Sequence, residues 1–169
     1  MPSVVQKAAI AASRIAMDIT ELLVPERVRC REDISSKKRA LELLGELISS
    51  GSASLAPQNV FNCLLAREKL GSTGLGHGVA IPHGRMADVG NAIGAVLTLE
   101  KGVDFDAPDG AAVDLIVGLI VPVESTDEHL HILSRLAEAF SVEEKVSALR
   151  RATTPEQVCQ LLGEATLRA

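Results

Sequence analysis

Apolar residues recur at helical spacing early in the chain, in short unbroken runs in its middle, and at helical spacing again towards its end. Residues 37–50 and 57–70 both have the period of about 3.6 residues that places apolar side chains on one face. Serines precede the first segment, Pro57 opens the second, and Gly51 and Gly71 follow their ends. These are typical helix boundaries, so the pattern predicts two amphipathic helices.

The pattern changes in the middle of the chain. Residues 78–84, 92–100 and 113–123 are short runs rich in Val, Ile and Leu, bounded by turn residues. Such runs are typical of strands that are buried on both faces. Between the second and third runs, residues 104–110 contain the Pro-Asp-Gly sequence of a tight turn, which predicts a hairpin.

Three further helices are predicted towards the end of the chain. Residues 127–140, 141–152 and 154–165 return to helical spacing, and Ser141 and Thr154 precede acidic residues as helix caps do. Helices, then strands, then helices indicate an α/β fold in which a sheet is covered on its faces.

The N-terminal segment predicts one more helix. An apolar stripe extends over about the first twenty residues, and Pro25 follows it as a helix breaker. A transit peptide is the open alternative, because Lys7 and Arg14 precede every acidic residue.

Composition narrows the class of protein. A length of 169 residues favours one domain, and 47% hydrophobic with 23% charged residues excludes bulk disorder. A net charge of −5 with no Trp or Tyr argues against a nucleic-acid partner. The cysteines Cys30, Cys63 and Cys159 are too widely spaced for a disulfide framework or a zinc site, so we expect a reducing cytoplasm. The longest uncharged apolar run, Leu115–Val123, has nine residues, and a membrane span needs about 20.

The glycine-rich loop that begins at Gly71 allows two readings. A helix precedes it and a strand follows, which reverses the context of a dinucleotide-binding loop, and it lacks the lysine of a phosphate-binding P-loop. Backbone N–H groups and the hydroxyls of Ser72 and Thr73 are suited to an anion such as a phosphoryl group. The alternative is a plain turn between helix and strand.

Two histidines have positions that suit chemistry. His83 ends a predicted strand between Pro82, which restricts the backbone, and Gly84, which leaves space for approach, as a nucleophile requires. His129 shares the apolar face of its helix, whereas His131 shares the solvated face, so we select His129.

Arg67 and His77 are two further candidates, each with two interpretations. Arg67 lies on the packed face of its helix, one turn before the glycine loop, and suits either a bidentate phosphate contact or a salt bridge to Glu68 or Glu124. His77, inside the loop, either lines the site or faces solvent. A metal site made from His77, His83 and His129 is a third reading, without the spacing of known ligand motifs.

The segments LAREKLGSTGLGHGVAIPHGR (65–85) and STDEHLHILSRLA (125–137) together resemble enzyme IIA components of the phosphoenolpyruvate-dependent phosphotransferase system. The resemblance is to the mannitol/fructose type, the type 2 enzyme IIA domain, and within it to the nitrogen-regulatory branch. It implies a mixed five-stranded sheet flanked by helices on both faces. We predict this domain over residues 20–165, after an N-terminal helical extension over residues 1–19.

The resemblance also implies site residues. His83 would accept the phosphoryl group at Nε2, as a tele-phosphohistidine, while a backbone carbonyl holds Nδ1. Arg67 and His129 would be the other active-site side chains. Ser72, Thr73 and Gly74 would bind the phosphate, and no cofactor would be required. His77 departs from the family pattern, so it could modulate donor choice.

The implied partner is an HPr-like phosphocarrier (NPr). The implied role is regulation of target proteins, such as potassium transporters or sensor kinases, according to the phosphorylation state of His83. The alternative is sugar uptake, with phosphate passed to a separate IIB component. Another is a binding module in which phosphorylation acts only as a charge switch. The apolar stripe of the N-terminal extension suits self-association, as in a homodimer, or a partner contact.

Overall fold

One mixed sheet organises residues 19–167, the part of the chain that the computed structural model describes. Its strands are β1 (Val28–Glu32), β2 (Gly74–Gly76), β3 (Val79–Ala80), β4 (His83–Met86), β5 (Ile93–Val103) and β6 (Val113–Pro122). The helices are α1 (Lys37–Ser49), α2 (Pro57–Leu70), α3 (Thr126–Phe140), α4 (Glu143–Arg151) and α5 (Pro155–Thr166), with 3-10 turns at Ile19–Glu21 and Pro25–Arg27.

The long strands β5 and β6 form an antiparallel hairpin at the centre of the sheet, as predicted. β1 lies parallel to β5, and β3 and β4 both lie parallel to β6, with β2 antiparallel to β3. Because β3 and β4 follow one another along the same edge of β6, the six strands occupy five positions. The predicted mixed sheet is therefore confirmed, with one of its strands divided in two.

The division of that strand occurs at Ile81 and Pro82. Pro82 has no N–H to donate to a neighbouring strand, although its carbonyl still accepts from Leu119 N at 3.0 Å. Regular pairing resumes with His83 opposite Leu119. His83 is therefore the first residue of β4.

Helices cover both faces of the sheet, as predicted. The first core lies between the sheet and helices α1 and α2, and the second core lies between the sheet and helices α3–α5. Side chains of β6 alternate between them: Ile116 and Ile120 enter the first core, and Val117 and Val121 enter the second. The alternation explains why residues 115–122 of β6 form an unbroken apolar run.

The predicted caps differ in outcome. Thr154 Oγ1 accepts from Gln157 N at 3.2 Å in a complete capping box at the start of α5, as predicted. The prediction for Ser141 is wrong, because Val142 precedes α4 and no side chain caps it. Ser141 is the C-cap of α3 and keeps a helical backbone conformation. An N-cap residue needs an extended conformation instead.

Two strands were not predicted from the local pattern, namely β1 and β2. The predicted N-terminal helix falls mostly on residues 1–18, which lie outside the described residues. None of the helices within residues 19–167 is long and apolar enough to cross a membrane.

Candidate functional site

His83 is oriented by a backbone carbonyl. Its Nδ1 atom lies 2.7 Å from the carbonyl oxygen of Ile81, two residues earlier in the interrupted strand. A carbonyl oxygen can only accept a hydrogen bond, so Nδ1 carries the hydrogen. In the neutral ring the free electron pair then lies on Nε2. This is the nitrogen that the family resemblance implies as the nucleophile.

His129 lies against His83. The helix α3 presents it from its first turn, and its ring meets that of His83 edge to face, with 5.1 Å between the centroids and 71° between the planes. Only 6% of its surface is exposed. Neither of its buried ring nitrogens has a hydrogen-bond partner among residues 19–167. A buried N–H without an acceptor is costly, so this ring is suited to an acceptor brought by a ligand.

Both rings are held in the neutral form. Burial lowers the pKa of His129 to about 4, and repulsion from a protonated His83 and from Arg85 and Arg67 acts in the same direction. Burial also lowers the pKa of His83, while the hydrogen bond to Ile81 opposes the shift. A neutral imidazole keeps a free electron pair, so His83 is a competent nucleophile at neutral pH.

Arg67 supplies positive charge from the last turn of α2. Its Nη1 donates to the carbonyl oxygen of Gly71 at 2.8 Å, so the side chain lies along the start of the glycine loop. Within residues 19–167 no carboxylate lies within 4.0 Å of this guanidinium, so the alternative salt bridge to Glu68 or Glu124 is not formed.

Arg85 is a second cation near the histidines, and the sequence analysis did not select it. It shares one face of β4 with His83, two residues away, and its Nη1 donates to Thr126 Oγ1 at 3.4 Å. Its charge lowers the pKa of His83 and of His129. The alternation of side chains along the predicted strand is the signal that could have found it.

The hydroxyls of the glycine loop already have protein acceptors. Ser72 Oγ donates to Phe105 O at 2.6 Å, and Thr73 Oγ1 donates to the carboxylate of Glu68. Gly74 N donates to Ser72 Oγ at 3.1 Å. The phosphate contacts of Ser72, Thr73 and Gly74 stay predictions, and their shown role is to fold the loop against the sheet.

His77 lies apart from the histidine pair, on an exposed turn between β2 and β3 with φ of 57°. The next residue, Gly78, bonds to Asp114 at the start of β6, whereas His83 pairs with Leu119. Five residues of strand separate the two positions, a length of roughly 16 Å. The three-histidine metal site is therefore not assembled, and residues 19–167 contain no cluster of three or more His, Cys, Asp or Glu that could hold a metal ion.

Comparisons with known proteins show what the chain is similar to. The family described as "Phosphoenolpyruvate-dependent sugar phosphotransferase system, EIIA 2" matches residues 21–165. The nitrogen regulatory protein of Escherichia coli (strain K12) is 42% identical over 149 residues, which cover 88% of this chain and 91% of that protein.

Solved structures give the same relationship. The nitrogen regulatory protein IIA-Ntr of Neisseria meningitidis has a TM-score of 0.82 at 47% identity, covering 85% of this chain and 98% of that one. The mannitol IIA of Escherichia coli has a TM-score of 0.70 at 26% identity, covering 83% of this chain and 98% of that one.

Proposed function

Because the chain belongs to the EIIA 2 family of the phosphoenolpyruvate-dependent sugar phosphotransferase system, we propose that it is a phosphocarrier that accepts a phosphoryl group on His83. The observation that carries the proposal is the hydrogen bond from His83 Nδ1 to Ile81, because it leaves the Nε2 electron pair for attack. The donor is the phosphohistidine of an HPr-like carrier protein (NPr).

The transfer is a displacement at phosphorus. The Nε2 electron pair of His83 forms the new N–P bond, while the donor's N–P bond breaks and its electron pair returns to the donor imidazole. The positive charge that develops on the His83 ring is stabilised by the Nδ1–H hydrogen bond to Ile81. No nucleotide or metal enters this balance.

Catalysis consists of positioning and charge stabilisation. Arg67 and Arg85 provide cations for the oxygens of the transferred group. His129 provides a ring N–H that has no acceptor among residues 19–167. Both imidazoles are already neutral at neutral pH, so His83 does not have to lose a proton from Nε2 before it attacks. The tele-phosphohistidine at His83 is the product.

We further propose that the chain regulates target proteins and does not pass phosphate to a IIB component for sugar uptake. The support is the 42% and 47% identity to nitrogen regulatory proteins, against 26% to the mannitol IIA structure. Transporters and sensor kinases are the target classes that we propose. Phosphorylation of His83 would change the charge of the surface that a target meets.

Incorporation of labelled phosphate tests both proposals. The protein is mixed with phosphoenolpyruvate, enzyme I and either an NPr-type or a sugar-type HPr, and acid-labile label is measured over time. We expect label on the native chain and on His131→Ala, but none on His83→Ala, with faster transfer from the NPr-type carrier. Label on His83→Ala would disprove the acceptor assignment, and faster transfer from the sugar-type carrier would favour sugar uptake.

A further inference from the structure

A buried carboxylate lies beside the site but takes no part in the proposed transfer. Glu68, in the last turn of α2, has a side chain that is only 3% exposed. Its carboxylate lies 2.7 Å from Lys37 Nζ and accepts from Thr73 N at 3.1 Å and from Thr73 Oγ1. A buried charge persists only when it is paired and hydrogen-bonded, and this one is both.

Lys37 is itself fixed in place. It is the first residue of α1, and besides Glu68 its Nζ donates to Phe105 O at 3.2 Å in the connection between β5 and β6. Ser72 Oγ donates to the same carbonyl. The ion pair therefore joins α1, α2, the glycine loop and the β5–β6 connection at one point.

Hydrogen bonds lead from this point to the nucleophile. Glu68 accepts from Thr73 N, the carbonyl of Thr73 accepts from Ile81 N at 3.0 Å, and the carbonyl of Ile81 accepts from His83 Nδ1 at 2.7 Å. The acceptor that selects the His83 tautomer is therefore a backbone group whose own position depends on Thr73. In turn, Thr73 is held by Glu68.

The carboxylate is chemically matched to this role. Two of its partners are N–H or O–H groups of Thr73 and the third is an ammonium, so all three donate. A glutamine of the same shape has one acceptor oxygen and an NH₂ group that can only donate. With glutamine, the NH₂ group either faces Lys37 as a second donor or reverses the hydrogen bond to Thr73 Oγ1. In both orientations the negative charge beside Lys37 is lost.

We propose that Glu68, held by Lys37, is a positioning residue that fixes the tautomer and orientation of His83 through Thr73 and Ile81. The predicted effect on the transfer rate rests on the proposed function. The predicted effect on the imidazole of His83 does not, because it exists in the free protein.

The first test is Glu68→Gln, with Glu42→Gln as its control. Glu42 is a partly exposed carboxylate of α1 that pairs with Arg39 at 3.3 Å. Its replacement by glutamine therefore removes one negative charge from an ion pair outside the hydrogen-bond path to His83. Nitrogen NMR of labelled histidine gives the fraction of His83 with hydrogen on Nδ1. In Glu68→Gln we expect that fraction to fall and the phosphorylation rate to drop about tenfold, while KM for the carrier changes less than twofold. Glu42→Gln should match the native chain.

The second test separates positioning from the charge of Glu68. Thr73→Val removes the hydroxyl bond but leaves the Lys37–Glu68 pair intact, and Thr73→Ser restores the hydroxyl. We expect the Nδ1-protonated fraction of His83 to fall in the valine variant and to recover in the serine variant. NMR is recorded without phosphate, so a lost phosphate contact cannot produce this result.

The outcomes are distinct. If Glu68→Gln and Thr73→Val both keep the native tautomer fraction, the proposal is wrong. If circular dichroism shows that Glu68→Gln does not fold, Thr73→Val decides alone. If the native chain takes no label but the tautomer shifts as expected, the proposed function fails and the positioning role stands.

Discussion

At the scale of single residues, the two histidines of the site differ in what holds them. His83 has a backbone acceptor on one nitrogen and is partly exposed, whereas His129 is buried with both nitrogens unpartnered among the described residues. The burial of His129 makes protonation of this ring unfavourable in the folded chain, because the imidazolium would lose its hydration without gaining a hydrogen-bond acceptor. This has a consequence for acid stability.

We predict that His129 destabilises the fold in mild acid. Its pKa is about 4 in the folded chain and near 6.5 in the unfolded chain, so between these values the unfolded chain binds more protons. Stability is therefore intact above pH 6.5 and is lost as the pH falls towards 4. From pH 7 to 4.5 the native chain should lose about 2–3 kcal/mol more than His129→Asn.

The measurement is urea unfolding at the two pH values. His131→Asn is the matched control, because this residue lies on the same helix but is less buried. It should lose as much stability in acid as the native chain does. Equal losses in His129→Asn and the native chain would contradict the prediction.

The sequence allowed part of the site to be predicted. His83 was selected as the end of a predicted strand, whereas the structure makes it the first residue of β4; His129 was selected from its helical face. The structure brings the two rings into contact. Arg85 and Glu68 were missed. Alternation continued one residue past Gly84 places Arg85 on the face of His83 and could have found it. The relation of Glu68 to the histidines depends on the fold of the glycine loop, which helical and strand periods do not report.

At the scale of elements, α2 packs closely against β4, the strand that carries His83. A Cβ atom on Gly84 would lie 2.5 Å from Cys63 Sγ, which real side chains do not tolerate. Glycine is therefore required here by close packing of helix and strand. Its predicted role of leaving the approach to His83 open stays a prediction. The contact between Cys63 and Gly84 therefore limits how closely α2 and β4 can pack.

We predict that Gly84→Ala destabilises the fold by about 1–3 kcal/mol, because β4 or Cys63 must move. Cys63→Ala removes the obstructing sulfur, so the double variant should recover at least about 1 kcal/mol relative to the sum of the single effects. Gly90→Ala is the control, since nothing lies within 4 Å of its added Cβ. All four proteins are compared by urea unfolding. If the free-energy losses of Gly84→Ala and Cys63→Ala simply add in the double variant, the contact between these residues does not limit the packing of α2 against β4.

Elements with a strong local pattern were predicted and those without one were missed. The helices α1 and α2 and the β5–β6 hairpin follow from period, caps and turn residues. β1 has five residues, three of them charged, and its partner β5 lies more than sixty residues away. β2 is the sequence Gly-Leu-Gly, which has low strand propensity and pairs only because the loop is held against β3.

At the scale of the whole molecule, the two cores share the sheet. Leu44 of α1 packs over Gly118 of β6 in the first core, and Leu149 of α4 is buried in the second. Neighbouring residues of β6 enter opposite cores, so disruption of either core removes support from the same strand. Cooperative unfolding of residues 19–167 is the expected result.

We predict that Leu44→Ala and Leu149→Ala each reduce the free energy of unfolding by about 2–5 kcal/mol, with a single transition in both variants. Thiol labelling during urea unfolding gives a local probe of each core, because Cys63 packs against the first and Cys159 against the second. The two thiols should become reactive together, at the midpoint seen by circular dichroism. Reaction of one thiol at clearly lower urea would contradict shared unfolding.

The order of helices, strands and helices was enough to predict a sheet covered on both faces, and the structure confirms it. The strand that bears His83 was predicted as one run over residues 78–84. The structure divides it at Pro82, because a residue without an N–H interrupts the ladder with β6. A composition rich in Val and Ile does not reveal such a break.

The acceptor that orients His83 has a consequence for tolerance to mutation. Every amino acid at position 81 would bring the same carbonyl oxygen, so no point substitution there can delete the group that Nδ1 contacts. The placement of the hydrogen on Nδ1 is therefore independent of the side chain at position 81. It is vulnerable instead to substitutions elsewhere that displace the main chain, and a mutational scan limited to side chains touching His83 would overlook them.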